Sequence, residues 1–178
     1  MTMSGLKIRT FGDPVLRDPA RPVESFDAAL RSLAEDMIQT MHEAPGVGLA
    51  APQVGRPIRL IVFDIADESG ARALANPVLY DEWGEQIAEE GCLSLPGLYY
   101  PVQRHERVGV RGFDLDGREE TFEAQELLAR VLQHEVDHLE GVLFIDRLDE
   151  EHRRQALAEL RDQALGLAPP AHDPSRAL

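Results

Sequence analysis

Residues 133–138 read Gln133-His134-Glu135-Val136-Asp137-His138, an H-E-x-x-H pattern set in a segment, Gln125 to Glu140, with helical periodicity. Gly141 follows as a C-terminal stop. Residues four apart stand one above the other, about 6 Å along the axis, so both imidazoles can reach one metal ion. Glu135 is turned about 100° away from His134, which places it beside the ion and not among its ligands. A general base for a bound water belongs there. Two histidines and a glutamate could equally form an ordinary solvated face. Here, however, Leu127, Val131, His134 and His138 share one side of the helix, and histidines that continue an apolar stripe need a partner.

Two histidines leave a catalytic site one protein ligand short. His42, His105, His152 and His172 fall in expected loops or polar surroundings and read as surface residues. Cys92, the chain's single cysteine, is the better candidate. Away from any context it would read as a small buried hydrophobe, and it cannot form an internal disulfide. It stands in Glu89-Glu90-Gly91-Cys92-Leu93-Ser94, where a strand ends and Gly91 permits close backbone approach. One thiolate and two imidazoles make a sound tetrahedral set for Zn²⁺ or Fe²⁺, with the fourth position left for water. A third segment, Gly46-Val47-Gly48-Leu49-Ala50-Ala51-Pro52-Gln53, matches no phosphate-binding pattern. Its small residues would keep a cleft open, and the Gln53 amide could serve a developing oxyanion.

The flanking sequence indicates an α+β fold with largely antiparallel sheets around the metal-binding helix, one helix before them and one after. An extended or turning arm with Pro14, Pro19 and Pro22 leads to a helix from about Ser25. Leu30, Leu33, Met37, Ile38 and Met41 form its stripe, Ser25 or Asp27 its cap, and Pro45-Gly46 its end. Strands are expected at Ile58–Phe63, Leu74–Tyr80, Gln86–Glu90, Val108–Phe113 and Glu119–Phe122, with a hairpin turn at Asp116-Gly117. Pro77 should make the second of these an edge or an irregular strand. Leu143–Ile145 reads as a short strand. Glu150–Leu165 reads as an amphipathic helix with Leu157, Leu160 and Ala164 on one side. Residues 1–166 are taken as a single catalytic domain and 167–178 as a flexible tail.

The length of 178 residues suits one domain, and 28% charged with 43% hydrophobic residues excludes wholesale disorder. A net charge of −14 argues against phosphate-driven nucleic-acid binding and against anionic membranes. No apolar run approaches the ~20 residues of a membrane span, and residues 1–10 lack a signal-peptide stretch. The expectation is a soluble cytoplasmic protein.

Taken together, three segments resemble one family, the peptide deformylases, whose signatures are G-x-G-L-A-A-x-Q, E-G-C-L-S and Q-H-E-x-D-H-L. Gly46 to Gln53, Glu90 to Ser94 and Gln133 to Leu139 carry them in that order, supported by Asp13-Pro14-Val15-Leu16-Arg17 and Asn76-Pro77. The resemblance runs from about Lys7 to Asp149. It implies a hydrolase that removes the formyl group from the N-terminal formyl-methionine of nascent proteins and releases formate. By the same resemblance Cys92, His134 and His138 hold one divalent ion, Fe²⁺, for which Zn²⁺, Ni²⁺ or Co²⁺ can substitute. Glu135 becomes the general base and acid, and Gln53 with the Leu93 backbone N–H holds the oxyanion. Val47, Gly48, Leu127 and Val131 are the candidates for lining or rimming the methionine pocket, and Glu90 and Arg104 for a pair that fixes the Cys92 loop.

The implied partners are formyl-methionyl nascent peptides and, transiently, the ribosome, for a monomer without nucleic-acid specificity. Some members dock on the ribosome through a basic C-terminal helix. The corresponding segment here sets Arg153, Arg154 and Arg161 against Glu150, Glu151, Glu159 and Asp162. Two rivals remain at this stage. A zinc endopeptidase would draw its third ligand from downstream, such as Glu150, Glu151 or Glu159. A closed structural metal site would need a fourth protein ligand and would leave Glu135 without a task.

Overall fold

The metal-motif segment forms a helix, α2 (Glu126–Leu139), lodged between two antiparallel sheets. The computed structural model describes residues 5–167 and residue 178. Before α2 come α1 (Ala28–Glu43) and seven strands: β1 (Gly48–Ala50), β2 (Leu60–Phe63), β3 (Arg72–Trp83), β4 (Gln86–Cys92), β5 (Leu95–Arg104), β6 (Arg107–Phe113) and β7 (Glu119–Gln125). A final helix, α3 (Glu150–Ala164), follows. Five strands form one sheet in the order β1-β2-β3-β6-β7, while β4 and β5 pair only with each other. The α+β class with helices before, between and after the sheet elements is therefore as the sequence indicates.

The apolar residues explain the layering. Val131, Leu132 and Leu139 of α2 are fully buried with Ile61, Leu74, Val108 and Val110 of the larger sheet. On the far side of α2, Leu95, Leu98, Tyr100 and Val102 of β5 pack with Phe144, Ile145, Ala156 and Leu160. A third cluster joins Leu30, Met37 and Met41 of α1 to Leu49, Leu60 and Val62. Burying each such side chain contributes roughly 1.5–3 kcal/mol, and on its far side α2 meets β4 through Arg130, His134 and His138.

Local chemistry sets the boundaries. Asp27, the second of the two expected caps, accepts from the Leu30 amide at 3.0 Å at the start of α1. Pro77 leaves β3 central but irregular: the β3–β6 register shifts between Ala75 and Val78. Asn76 adopts a φ of 50° there, and its amide exchanges hydrogen bonds with the Val23 backbone. Asp116-Gly117 lies in the β6–β7 turn, where Gly117 has a φ of 76°.

Three expectations are corrected. Leu143–Ile145 is not a strand: residues Phe144–Arg147 form a 3₁₀ turn, which the Asp146 carboxylate closes by accepting from the Leu143 amide at 2.9 Å. The buried stripe of α3 is Ala156 and Leu160, while Leu157 and Ala164 are exposed. β1 and β5 were not anticipated as strands. Of the expected tail, residues 168–177 lie outside the described residues; Leu167 is exposed and Leu178 is buried.

Gly141 ends α2 with a φ of 72°, and a Cβ there would stand 2.4 Å from the Arg17 carbonyl oxygen. Left-handed backbone costs an L residue about 1–2 kcal/mol before any collision is counted. Gly141→Ala is therefore expected to lower unfolding free energy in urea by at least that amount; an unchanged midpoint and slope would show that the turn relaxes freely.

Candidate metal centre and active site

β4 brings the sulfur and α2 the imidazoles. Glu90 and Cys92 are two apart on β4 and so face the same way, toward α2. A register shift in the β4–β5 pairing lies between them, at Gly91. Cys92 Sγ is 3.3 Å from His138 Nε2. The donor atoms of Cys92, His134 and His138 all lie within 4.8 Å of one another, and all three residues are buried. A tetrahedral ion with Zn–S near 2.3 Å and Zn–N near 2.0–2.1 Å separates its donors by roughly 3.5 Å. The three candidate ligands fit a divalent metal.

Unpartnered atoms point the same way. Among the described residues, buried side-chain atoms without a hydrogen bond are His134 Nε2, His138 Nδ1, both carboxylate oxygens of Glu135 and Arg130 Nε. His134 Nδ1 stands 3.0 Å from Glu90 Oε2, so the carboxylate accepts that proton and leaves Nε2 as the free lone pair. An orphaned imidazole nitrogen beside a buried thiol is what a missing cation explains.

Glu90 also binds both Arg104 and Arg130. Arg104 donates to it twice, at 2.8 and 3.0 Å, and Arg130 at 2.6 Å. The expected Glu90–Arg104 pair is thus present. Arg104 continues to Asp137 at 2.6 Å, which Arg147 holds from the other side at 2.6 and 3.1 Å. Burial alone would raise the Glu90 carboxyl, but hydrogen bonds from His134 and Arg104 outweigh it and hold it well below the usual carboxylate range. Burial drives His138 well below its ordinary value, with the positive charge of His134 adding to the effect. In His134 burial is overcome by Cys92 and Glu90, and the imidazole is raised.

Glu135 has no ion-pair partner among the described residues. Its carboxyl is pushed up to about 7, chiefly by burial. Gly48 is why it can be sealed so closely: a Cβ at residue 48 would come 2.3 Å from Glu135 Oε1. Gln53 sits in a 3₁₀ turn, Ala51–Val54, that follows β1. Its Oε1 accepts from the Ala50 amide at 2.8 Å, which turns Nε2 toward Cys92 Sγ at 3.6 Å and Ser94 Oγ at 3.2 Å.

Of the pocket candidates, Gly48 and Val131 are buried beside this centre and Val47 is half-buried against the same cluster. Leu127 is 45% exposed, one turn before Val131 on α2. Leu93 is half-buried and its side chain leans on Gly46. Sequence reading missed Arg130, Asp137 and Arg147. Arg130 left one signal, an arginine on the same turn as Val131 in an apolar stretch, and it is 2% exposed.

With the geometry in place, comparison with known proteins is decisive. The family model described as polypeptide deformylase matches residues 5–154. The chain belongs to the polypeptide deformylase family. A peptide deformylase of Acidothermus cellulolyticus is 53% identical over 155 residues, covering 87% of this chain and 85% of that protein. The crystal structure of a peptide deformylase from Synechococcus elongatus in complex with actinonin superposes with a TM-score of 0.85 at 43% identity, covering 98% of this chain and 95% of that one. The peptide deformylase of Thermus thermophilus gives 0.84 at 46% identity, over 91% and 96%. The chain is accordingly an enzyme, a metal-dependent hydrolase that removes the formyl group from the N-terminal formyl-methionine of nascent proteins and releases formate.

Arg104→Ala would leave Glu90 held by Arg130 and His134 only and Asp137 by Arg147 alone. Loss of such outer partners typically weakens metal affinity about 10- to 100-fold. Metal content per chain after dialysis against a mild chelator should fall accordingly, and unchanged content would remove Arg104 from the metal's support.

Proposed function

We propose that the deformylase reaction runs on Glu135, Gln53 and the Leu93 amide, around an ion held by Cys92, His134 and His138. The observation that supports this most is the pair of unpartnered Glu135 oxygens, buried next to three converging donor atoms. A bound divalent ion supplies Lewis-acid activation of water and of the formyl oxygen. Glu135 takes the proton that the attacking water gives up and later delivers it to the departing amine nitrogen. Water oxygen joins the formyl carbon, the C–N bond breaks, and formate and a free amine result. Gln53 Nε2 and the Leu93 N–H donate to the oxygen that becomes negative. Carboxylate oxygens without a partner among the described residues suit a group that must both accept and return a proton.

Val47, Gly48 and Val131 are proposed to line the pocket for the methionine side chain, with Leu127 at its mouth. Fe²⁺ is the proposed physiological ion: a thiolate with two imidazoles accommodates it as well as Zn²⁺, Ni²⁺ or Co²⁺. Thiolate and Fe²⁺ are both open to oxidation, so activity should fade in air. No helix of the described residues is long and apolar enough to cross a membrane. We place the enzyme in the cytoplasm, where thiols stay reduced, as a monomer serving protein biosynthesis. Residues 1–166 are proposed as its single catalytic domain. Association with the ribosome is transient, and α3 gives no basic face to hold it, since Arg161 lies beside Asp162 at 3.1 Å and Arg153 beside Asp146 at 3.5 Å.

Purification without oxygen, metal analysis and a formate-release assay on a formyl-methionyl peptide test the reading together. Glu135→Ala should keep its metal yet lose activity by about 100- to 10,000-fold, as removal of a general acid–base does. Gln53→Ala should lose about 100- to 1,000-fold, mainly in kcat. An intact Fe²⁺-loaded chain that releases no formate overturns the proposal. Cys92→Ser that still holds its metal would favour the endopeptidase pattern of ligands instead.

A further inference from the structure

Two strand edges flank the metal centre without a ladder partner among the described residues. β1 ends the larger sheet and its Gly48 meets Glu135; β4 has β5 on one side only and its Cys92 meets His138. Asp64 donates to the Val47 carbonyl, and the alternation of an antiparallel ladder then turns the Gly48 amide and carbonyl away from β2. A residue from far along the chain reaches the β4 edge and the segment that leads into β1. The Leu178 amide donates to the Gly91 carbonyl at 3.4 Å. The Leu178 carbonyl oxygen lies 3.5 Å from where a Cβ on Gly46 would stand. Its side chain is buried in the cluster that contains Val131 and against which Val47 packs.

We propose that Leu178 is an intramolecular competitor for the peptide cleft. The inference rests on the deformylase reading of that cleft. Three features support it. The hydrogen bond to Gly91 is the kind an extended peptide makes when it adds to a free strand edge. The side chain is aliphatic and fills space beside Val47 and Val131, the pocket proposed for methionine. Leu178 is not bonded to His134 Nε2 or to the Glu135 oxygens, which stay unpartnered, so it blocks binding without touching the proton chemistry.

Tethering makes a weak contact effective, because the local concentration of a segment on the same chain is high. When the competent state is a half to a tenth of the population, apparent affinity falls by roughly two- to tenfold. The effect should appear in KM and leave kcat alone.

The full-length, metal-loaded chain is compared with Leu178→Asp and Leu178→Ala in formate release from a formyl-methionyl tripeptide. The expected result is a KM roughly two- to tenfold lower in both variants, with Asp the larger effect, and an unchanged kcat. A synthetic peptide of residues 172–178 should then compete with substrate on Leu178→Asp. Calorimetric titration with the unformylated methionyl tripeptide reads binding without turnover and should tighten in the same order. Equal KM and equal tripeptide affinity in all three chains overturn the proposal. Absence of formate from every chain overturns the deformylase reading instead, and the titration still decides the role of Leu178.

Discussion

Glu90 has no exposed surface, yet it stays ionised, and the site is arranged around that charge. An isolated carboxylate in such a place would cost several kcal/mol. Two guanidinium groups and one imidazole N–H offset the cost, and they come from β5 and α2. Packed hydrocarbon in the same volume could equal the stability. It could not fix the tautomer of His134, which decides the nitrogen that faces the sulfur. Through Arg104 the same charge reaches Asp137, the residue before His138. Both imidazoles therefore flank one ion-paired cluster.

The opposite wall is shaped by what is missing. Gly48 has no side chain, so β1 can run against Glu135 and exclude water from it. Burial then raises the Glu135 carboxyl, and neither oxygen has a partner to compensate. Unsatisfied buried groups of this kind cost about 1–3 kcal/mol or more, and a fold under selection for stability alone would fill or pair them. The cost falls on the residue proposed to take a proton and give it back.

Parts of this were legible in the sequence for specific reasons. The histidines of α2 stood out because they interrupt an apolar stripe of regular period. Cys92 stood out because the motif lacked one ligand and no histidine elsewhere had an apolar setting. β2, β6 and β7 showed the patterning of ordinary strands. β5 did not, because Pro96, Gly97 and Pro101 break up the row Leu98, Tyr100, Val102 and Arg104, whose side chains all face inward. An arginine at the last inward position looks like a strand's polar end until its buried partner is known. β1 is three small residues with no pattern to read. Leu143–Ile145 is an apolar run too short to distinguish a strand from a turn. What decided it was a contact with Asp146, which also pairs with Arg17. Leu127 shares the helical face of Val131, but it lies one turn earlier, where α2 has not yet entered the interface.

The end of β4 shows how few residues separate the separate tasks of the site. In an extended strand, residues 90 and 92 face one side and residue 91 turns its backbone groups the other way. Glu90 and Cys92 consequently both meet α2, one gripping His134 and the other facing His138. The register shift between them lets the strand turn sharply into β5 directly after the sulfur. Gly91, between them, is left with a carbonyl that Leu178 reaches. The proposed metal support, metal ligation and peptide contact thus occupy three consecutive residues. Displacing this strand end would disturb all three together, which is why the paired arginines that anchor it matter more than their distance from the reacting atoms suggests.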